Sequence, residues 1–238
     1  MRPVLYTCIT AMRDPIPRPV PNDRLDHVLY IDPADLDLTM IDVRPWTIRP
    51  LVWQHPTDPV RTARWHKHNP LECFPDHEYS IWMDASHRPV TDISWFPDWF
   101  LHDADIACFP HFARISIEQE AEEVIKHGAD DEDTVRAQLA RYRKAGFTSE
   151  FDTELYETGV LVRRHNRQID HFSREWWREI VQGSRRDQLS FTYCLWRRRM
   201  RCVPLAPGYA NPLPPPGRNQ SNPYFAARSH LDREEDQP

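Results

Sequence analysis

Proline placement constrains this chain more than any other feature. Of its 23 prolines, fifteen lie between Pro3 and Pro110, none between His111 and Val203, and eight between Pro204 and Pro238. Proline lacks a backbone donor and clashes inside helices, so long helices belong in the middle block. The first block reads as short strands joined by proline-bearing loops, with strands expected at 4–10, 27–31 and 51–53. A short helix fits 61–68, ended ahead of Pro70, and Tyr79–Met83 alternates as a strand. In the proline-free block, Ser116 and Gln119 have capping-box spacing ahead of a helix at 117–127, with Gly128 as its stop. Asp131 precedes a helix at 132–145, Ser173 one at 174–182 and Ser184 one reaching Arg199, while a strand fits 158–163. Alternating strands and helices predict a layered α/β domain over residues 1–203. A proline-rich tail, 204–238, follows, and its apolar stretch at 223–231 is able to dock back through Tyr224, Phe225 and Leu231.

Glycine narrows the chemistry. The six glycines all lie at or after Gly128 and are scattered. A dinucleotide fingerprint, a P-loop and a nucleophile elbow each need clustered glycines, so all three are excluded. The net charge of -6 and a pI near 6.0 give no global attraction to nucleic acid or anionic membrane. No apolar stretch approaches the ~20 residues of a membrane span. Residues 4–12 are apolar but short, interrupted by Thr7 and Thr10 and followed by Asp14 and Pro15, which favours a buried first strand over a signal peptide. Five cysteines with no C-x-x-C spacing predict reduced thiols and a cytoplasmic location.

A buried strand that ends in an acid puts the carboxylate at the carboxyl edge of the sheet, where open α/β sheets bind ligands. Asp84, after Tyr79–Met83, is therefore a candidate ligand for Mg2+ or Mn2+, which take one or two carboxylates plus substrate phosphates; the competing reading is a turn cap. Arg64 and Lys67 share a helix face and would suit a diphosphate, although such pairs are more often solvated. Asp187 is a second acid, with Ser184–Asp187 spacing that equally suits a helix cap. Glu154 and Glu157 precede a strand and are further acids. His66, His68, Cys73 and His77 cluster in sequence, but their spacing departs from that of zinc sites, and a zinc centre is disfavoured.

Six strings in order carry a resemblance: YTCITAMRD (6–14), RTARWHKHNP (61–70), FPDHEYSIWMDAS (74–86), HFARISIEQEAEE (111–123), VLVRRHN (160–166) and REWWREIVQGSRRDQLSF (174–191). Together they resemble the glycosyltransferase-like domain family, first catalogued as a domain of unknown function, of plant cell-wall and mucilage proteins and bacterial polysaccharide loci. The resemblance covers residues 1–14 and 61–199; 15–60 and the tail match poorly. It implies a GT-A-like, single-domain nucleotide-diphospho-sugar transferase sandwich, a mixed and mostly parallel sheet flanked by helices. It further implies a metal-assisted glycosyltransferase of the hexosyltransferase kind, moving a sugar from a nucleotide-sugar to a hydroxyl acceptor.

In that frame Asp84 falls on the metal motif, Arg64 and Lys67 on diphosphate contacts, and Thr7 and Asp14 face the nucleotide. Asp187 and Glu157 become candidates for general base or sugar-hydroxyl contact, unranked, and His230 in the tail completes the sphere of Mn2+ or Mg2+. Family members generally carry Gly after the metal-binding acid, where this chain has Ala85, so a different loop is expected there. A glycan is the expected acceptor, and a hydroxylated DNA base is disfavoured by the acidic balance. A metal-dependent hydrolase on the same scaffold and a non-catalytic carbohydrate-binding module are the alternatives.

Overall fold

The structure is a computed structural model that describes residues 1–11, 14–32, 34, 42–205 and 224–227. Its elements run β1 (Val4–Cys8), β2 (Asp26–Tyr30), β3 (Thr47–Arg49), α1 (Pro59–His68), α2 (Pro70–Cys73), β4 (Tyr79–Met83), β5 (His87–Pro89), α3 (Phe96–Phe100), β6 (Ile106–Pro110), α4 (Ile117–Lys126), α5 (Glu132–Lys144), β7 (Tyr156–Arg164), α6 (Arg167–Gln182), α7 (Gln188–Arg198), β8 (Cys202–Pro204) and β9 (Phe225–Ala227). Seven strands form one sheet in the order β3-β2-β1-β4-β7-β6-β8. Only β7 runs against the others, pairing antiparallel with β4 and β6. The carboxyl ends of β1, β4 and β6 and the amino end of β7 therefore share one edge, and the site is built there.

Strand alternation divides the core. Val4, Tyr6 and Cys8 of β1 pack with residues of α1 and α4–α7 on one face, while Leu5 joins Phe96 and Phe100 of α3 and Phe225 of β9 on the other. β9 pairs with β5, bringing a piece of the tail, residues 225–227, against the segment that follows β4. Among the described residues no helix is long and apolar enough to cross a membrane.

Several boundaries differ from the sequence expectation. Residues 51–53 are not a strand: β3 ends before Pro50, and the Val52 N–H donates to His66 Nε2 (3.0 Å) instead of entering the sheet. Ser173 is no cap. Asn166 Oδ1 accepts from Ile169 N (2.9 Å), so α6 begins a full two turns earlier and buries Ser173 within it, and Val181 faces solvent. Ser184 does not open α7 either: its hydroxyl donates to Asp130 (2.6 Å), and the helix starts at Gln188. β6 lacked any sequence signal beyond a short apolar run ending in proline.

Candidate active site

Helix α1 places the first cations. Asp58 caps it by accepting from Val60 N (2.9 Å) and Arg61 N (3.2 Å), with Pro59 preset for the first turn. Its far end is tied to the sheet: the buried Arg163 guanidinium donates to Lys67 O (2.6 Å) and to the Tyr6 hydroxyl (2.6 Å), which itself donates to His66 O (3.2 Å). Helical side chains lean toward the amino end, so the Lys67 stem runs back toward the carboxyl edge.

There Lys67 Nζ lies 2.5 Å from Asp187 Oδ2, 3.3 Å from Asp84 Oδ1 and 3.2 Å from Thr158 Oγ1. One turn earlier, Arg64 Nη1 lies 3.3 Å from Asp187 Oδ2 and 3.5 Å from Asp84 Oδ1. The chain thus brings together four residues spread from 64 to 187, two cations against two carboxylates. Burial pushes the Asp84 and Asp187 carboxyls up, but the neighbouring Lys67 and Arg64 charges outweigh it and hold both below the ordinary carboxylate value, Asp187 far below. The same carboxylates raise Arg64 against its own burial. His68, its ring centroid 3.8 Å from that of Trp176 and tilted 48° to it, is kept neutral by burial.

The geometry separates the roles of these residues. Lys67 is wholly buried, with hydrogen bonds to Asp84 Oδ1 and Thr158 Oγ1 and an ion pair to Asp187, so in this structure it braces the two carboxylates from below the surface. Asp187 stands at the start of α7 but makes no side-chain cap bond; its carboxylate is spent on the cations, which removes the capping reading. Asp84 also departs from a simple turn cap. Lys67, Arg64 and the Trp82 indole N–H (2.8 Å) all fall on Oδ1, and its side chain is 29% exposed, which leaves Oδ2 for an added ligand. Ala85 has no left-handed backbone, so glycine is not required after Asp84. Glycine is required at 159, where a Cβ would sit 2.9 Å from His87 Cε1, inside contact distance of the ring that follows Asp84.

A divalent ion bound mainly through substrate phosphates fits this donor set, with Asp84 as the protein's carboxylate. Among the described residues no three His, Cys, Asp or Glu side chains are grouped to hold a metal by themselves. His230 lies outside the described residues. The four residues of the disfavoured zinc cluster have other partners: His66 accepts from Val52 N, His68 packs against Trp176, His77 pairs with Asp26 at 3.1 Å, and Cys73 is buried with its thiol pushed up to about 12. Thr7 is fully buried within β1 and does not reach the site surface, whereas Asp14 is half-buried beyond the carboxyl end of that strand.

A second cluster adjoins the first. Glu157 immediately precedes Thr158, the partner of Lys67, on β7. His111 Nε2 lies 3.8 Å from Glu157 Oε1 and 3.9 Å from Glu120 Oε2, and Arg114 pairs with Glu120 at 2.6 Å. Burial, then the Glu120 charge, pushes Glu157 up to about 7, with the Asp84 charge adding in the same direction. Burial also raises Glu120 against the pull of Arg114, and burial with Arg114 lowers His111 to about 4. One cation serves two acids here. Sequence reading picked out Glu157 but missed Glu120, His111 and Arg114; all three lie in the string 111–123, and only the unrecognised β6 sets that string at the edge. Glu154, by contrast, is occupied by the Tyr156 hydroxyl (2.6 Å).

Residues 46–205 match the TOD1/MUCI70, glycosyltransferase-like domain. The match takes in 46–60, which the sequence strings had left out, and omits residues 1–14. The probable hexosyltransferase MUCI70 of Arabidopsis thaliana is 28% identical over 127 residues, 50% of this chain and 22% of the plant protein. The chain therefore spans well under two thirds of that relative. In fold it is similar to the crystal structure of mouse xyloside xylosyltransferase 1 in its apo form, with a TM-score of 0.52, 11% identity, and coverage of 86% of this chain and 84% of the mouse one. The fold is GT-A-like, as the strings implied.

Proposed function

The chain belongs to the TOD1/MUCI70 glycosyltransferase-like family, and from that premise we propose that it moves a hexose from a nucleotide-sugar to a hydroxyl of a glycan. The observation that carries this reading is the pairing, at the carboxyl edge of a GT-A-like sheet, of a half-buried guanidinium (Arg64) with a carboxylate whose second oxygen is open (Asp84). Arg64 would take a diphosphate oxygen, and Asp84 would be the protein carboxylate that holds Mn2+ or Mg2+. When bound, that ion supplies electrostatic stabilisation of the departing diphosphate. Lys67 keeps Asp84 and Asp187 in place, and Asp187, firmly ionised and engaged by both cations, is suited to orient Arg64 rather than to take a proton.

Glu157 is the better base. A carboxylate near 7 is poised for general base catalysis at neutral pH, whereas one far below the ordinary range is too weak. The acceptor oxygen bonds to the anomeric carbon and gives its proton to Glu157. The bond from that carbon to the diphosphate oxygen breaks, its electron pair leaving with the nucleoside diphosphate. Calorimetry with UDP and GDP, each with and without Mn2+, tests the donor half. Wild-type protein binds one of them in a metal-dependent way, and Asp84→Asn loses that dependence while keeping its fold. Equal affinities with and without metal in both proteins remove Asp84 from the site.

A further inference from the structure

The loop between β6 and α4 is tied down along its length. His111 N donates to Leu155 O (2.8 Å), and the His111 ring accepts at Nδ1 from Ala113 N (3.1 Å) and Arg114 N (3.0 Å). Gln119 Oε1 accepts from Ile115 N (3.0 Å), and Asp152 takes Ile117 N (2.7 Å) and Glu118 N (3.2 Å) at the start of α4. Such a loop has the amides of His111, Ala113, Arg114 and Ile115 bonded, yet it holds two apolar side chains in solvent: Phe112 is 40% exposed and Ile115 62%. The Phe112 ring lies parallel to the His111 ring, 11° apart with centroids at 5.2 Å, so its orientation is fixed while part of it stays open.

Glu157 Oε1 lies 3.8 Å from His111 Nε2, beyond hydrogen-bond distance. Glu157 is 9% exposed, and its carboxylate takes no hydrogen bond from the described residues. Its side chain is 11% exposed, so the oxygens open to solvent and have room to accept from a ligand hydroxyl. An exposed aromatic surface and a solvent-open carboxylate, both beside one imidazole, match the two sides of a saccharide: an apolar C–H face and hydroxyl donors. A base, a peptide or a lipid would use the ring but offers no such row of hydroxyls to Glu157.

We propose that residues 111–116 and Glu157 form the acceptor subsite, with the Phe112 ring under the C–H face of a saccharide and the Glu157 carboxylate receiving its reacting hydroxyl. The proposal rests on the transferase reading for the word acceptor, but the saccharide site itself stands on the loop. Phe112 is exposed, so its replacement leaves the core intact. The test uses the full chain and saturation-transfer NMR with methyl glycosides of galactose, glucose and xylose, alongside calorimetry with UDP and Mn2+. Wild-type protein saturates the ring protons of at least one glycoside. Phe112→Ala weakens that binding about tenfold, Phe112→Trp restores it, and UDP affinity stays within about twofold in both. Equal glycoside binding by wild type and Phe112→Ala, or none by wild type, overturns the subsite. Loss of UDP binding by wild type with glycoside binding intact sinks the donor reading alone.

Discussion

The two acidic clusters on the carboxyl edge share a sheet and a helical layer but are built in opposite senses. Around Asp84 and Asp187, two carboxylates meet two cations, and both are held ionised. Around Glu120 and Glu157, two carboxylates meet one guanidinium and a neutral imidazole, and both are driven toward the protonated form. The lesson is that charge balance, rather than burial, assigns the roles, since Asp187 is no more exposed than Glu157. A balanced cluster gives a fixed electrostatic frame for a charged donor. An unbalanced one gives a group that can accept and release a proton near neutrality.

Removing a cation from the balanced cluster has the largest expected effect. Lys67→Met leaves Asp187 buried and facing Arg64 alone, and it should cost about 3–5 kcal/mol of stability, the usual result of breaking a buried pair from one side. Urea unfolding at pH 7 measures it. The pH dependence has a definite sign. The Asp84 and Asp187 carboxyls are lowered in the fold, so their contribution is complete above the unfolded value of about 4 and fades as pH falls through their folded values. Lys67→Met should flatten that acid limb. A loss below about 1 kcal/mol, as for a surface pair, breaks the contrast between the clusters.

What the sequence disclosed follows the same division. Asp84, Arg64 and Lys67 announced themselves through local order: an acid directly after an alternating strand, and two cations three apart on a helix that Asp58 and Pro59 start cleanly. Asp187 was legible as an acid, but its capping spacing suggested the wrong partner. Only the fold shows that Lys67, 120 positions earlier, claims its carboxylate. The unbalanced cluster is assembled almost entirely by tertiary contact. His111, Arg114 and Glu120 carry no shared period, and they meet Glu157 because β6 pairs with β7 through a register shift between Cys108 and Phe109. A strand as short as Ile106–Pro110, ending in proline, gives periodicity analysis too little to work with. Misplaced starts for α6 and α7 have a similar origin, because Ser173 and Ser184 have cap-like spacing while Asn166 and a bond to Asp130 decide the outcome.

Glu157→Gln sharpens the comparison from the other side, and its effect on stability should be favourable. The carboxyl titrates near 7 in the fold against an ordinary 4.5. Between those values the folded protein holds a proton that the unfolded chain has released, so stability falls as pH rises through the window and levels off above it. The amide removes that slope. At pH 8 the variant should be more stable than wild type by roughly 1–3 kcal/mol, and at pH 4 nearly equal to it. Glycosyl transfer should fall by roughly 10²–10⁴-fold, with nucleoside diphosphate affinity preserved. Parallel stability curves for the two proteins across pH 4 to 8 would mean that Glu157 is an ordinary carboxylate.

The smallest effect should come from deleting the lone cation of the unbalanced cluster, and the comparison with Lys67 is most direct here. Arg114 pairs with Glu120 at 2.6 Å and its Nη2 lies 2.9 Å from His111 Nε2, yet it is 26% exposed where Lys67 is wholly buried. In Arg114→Met, Glu120 has a way out that Asp187 lacks: already raised by burial, it can take up a proton instead of remaining a bare buried charge. His111, relieved of the neighbouring guanidinium, moves back up from about 4. The cost at pH 8 should therefore be about 1–2 kcal/mol, below the Lys67→Met loss. It should shrink toward zero at pH 5, because raising a folded carboxyl further costs stability relative to wild type only where the wild-type group has itself ionised, and Glu120 is already raised. Urea unfolding at the two pH values reads both quantities. A loss that is equal at pH 5 and pH 8 would show that Arg114 holds the loop by packing its stem rather than by compensating Glu120.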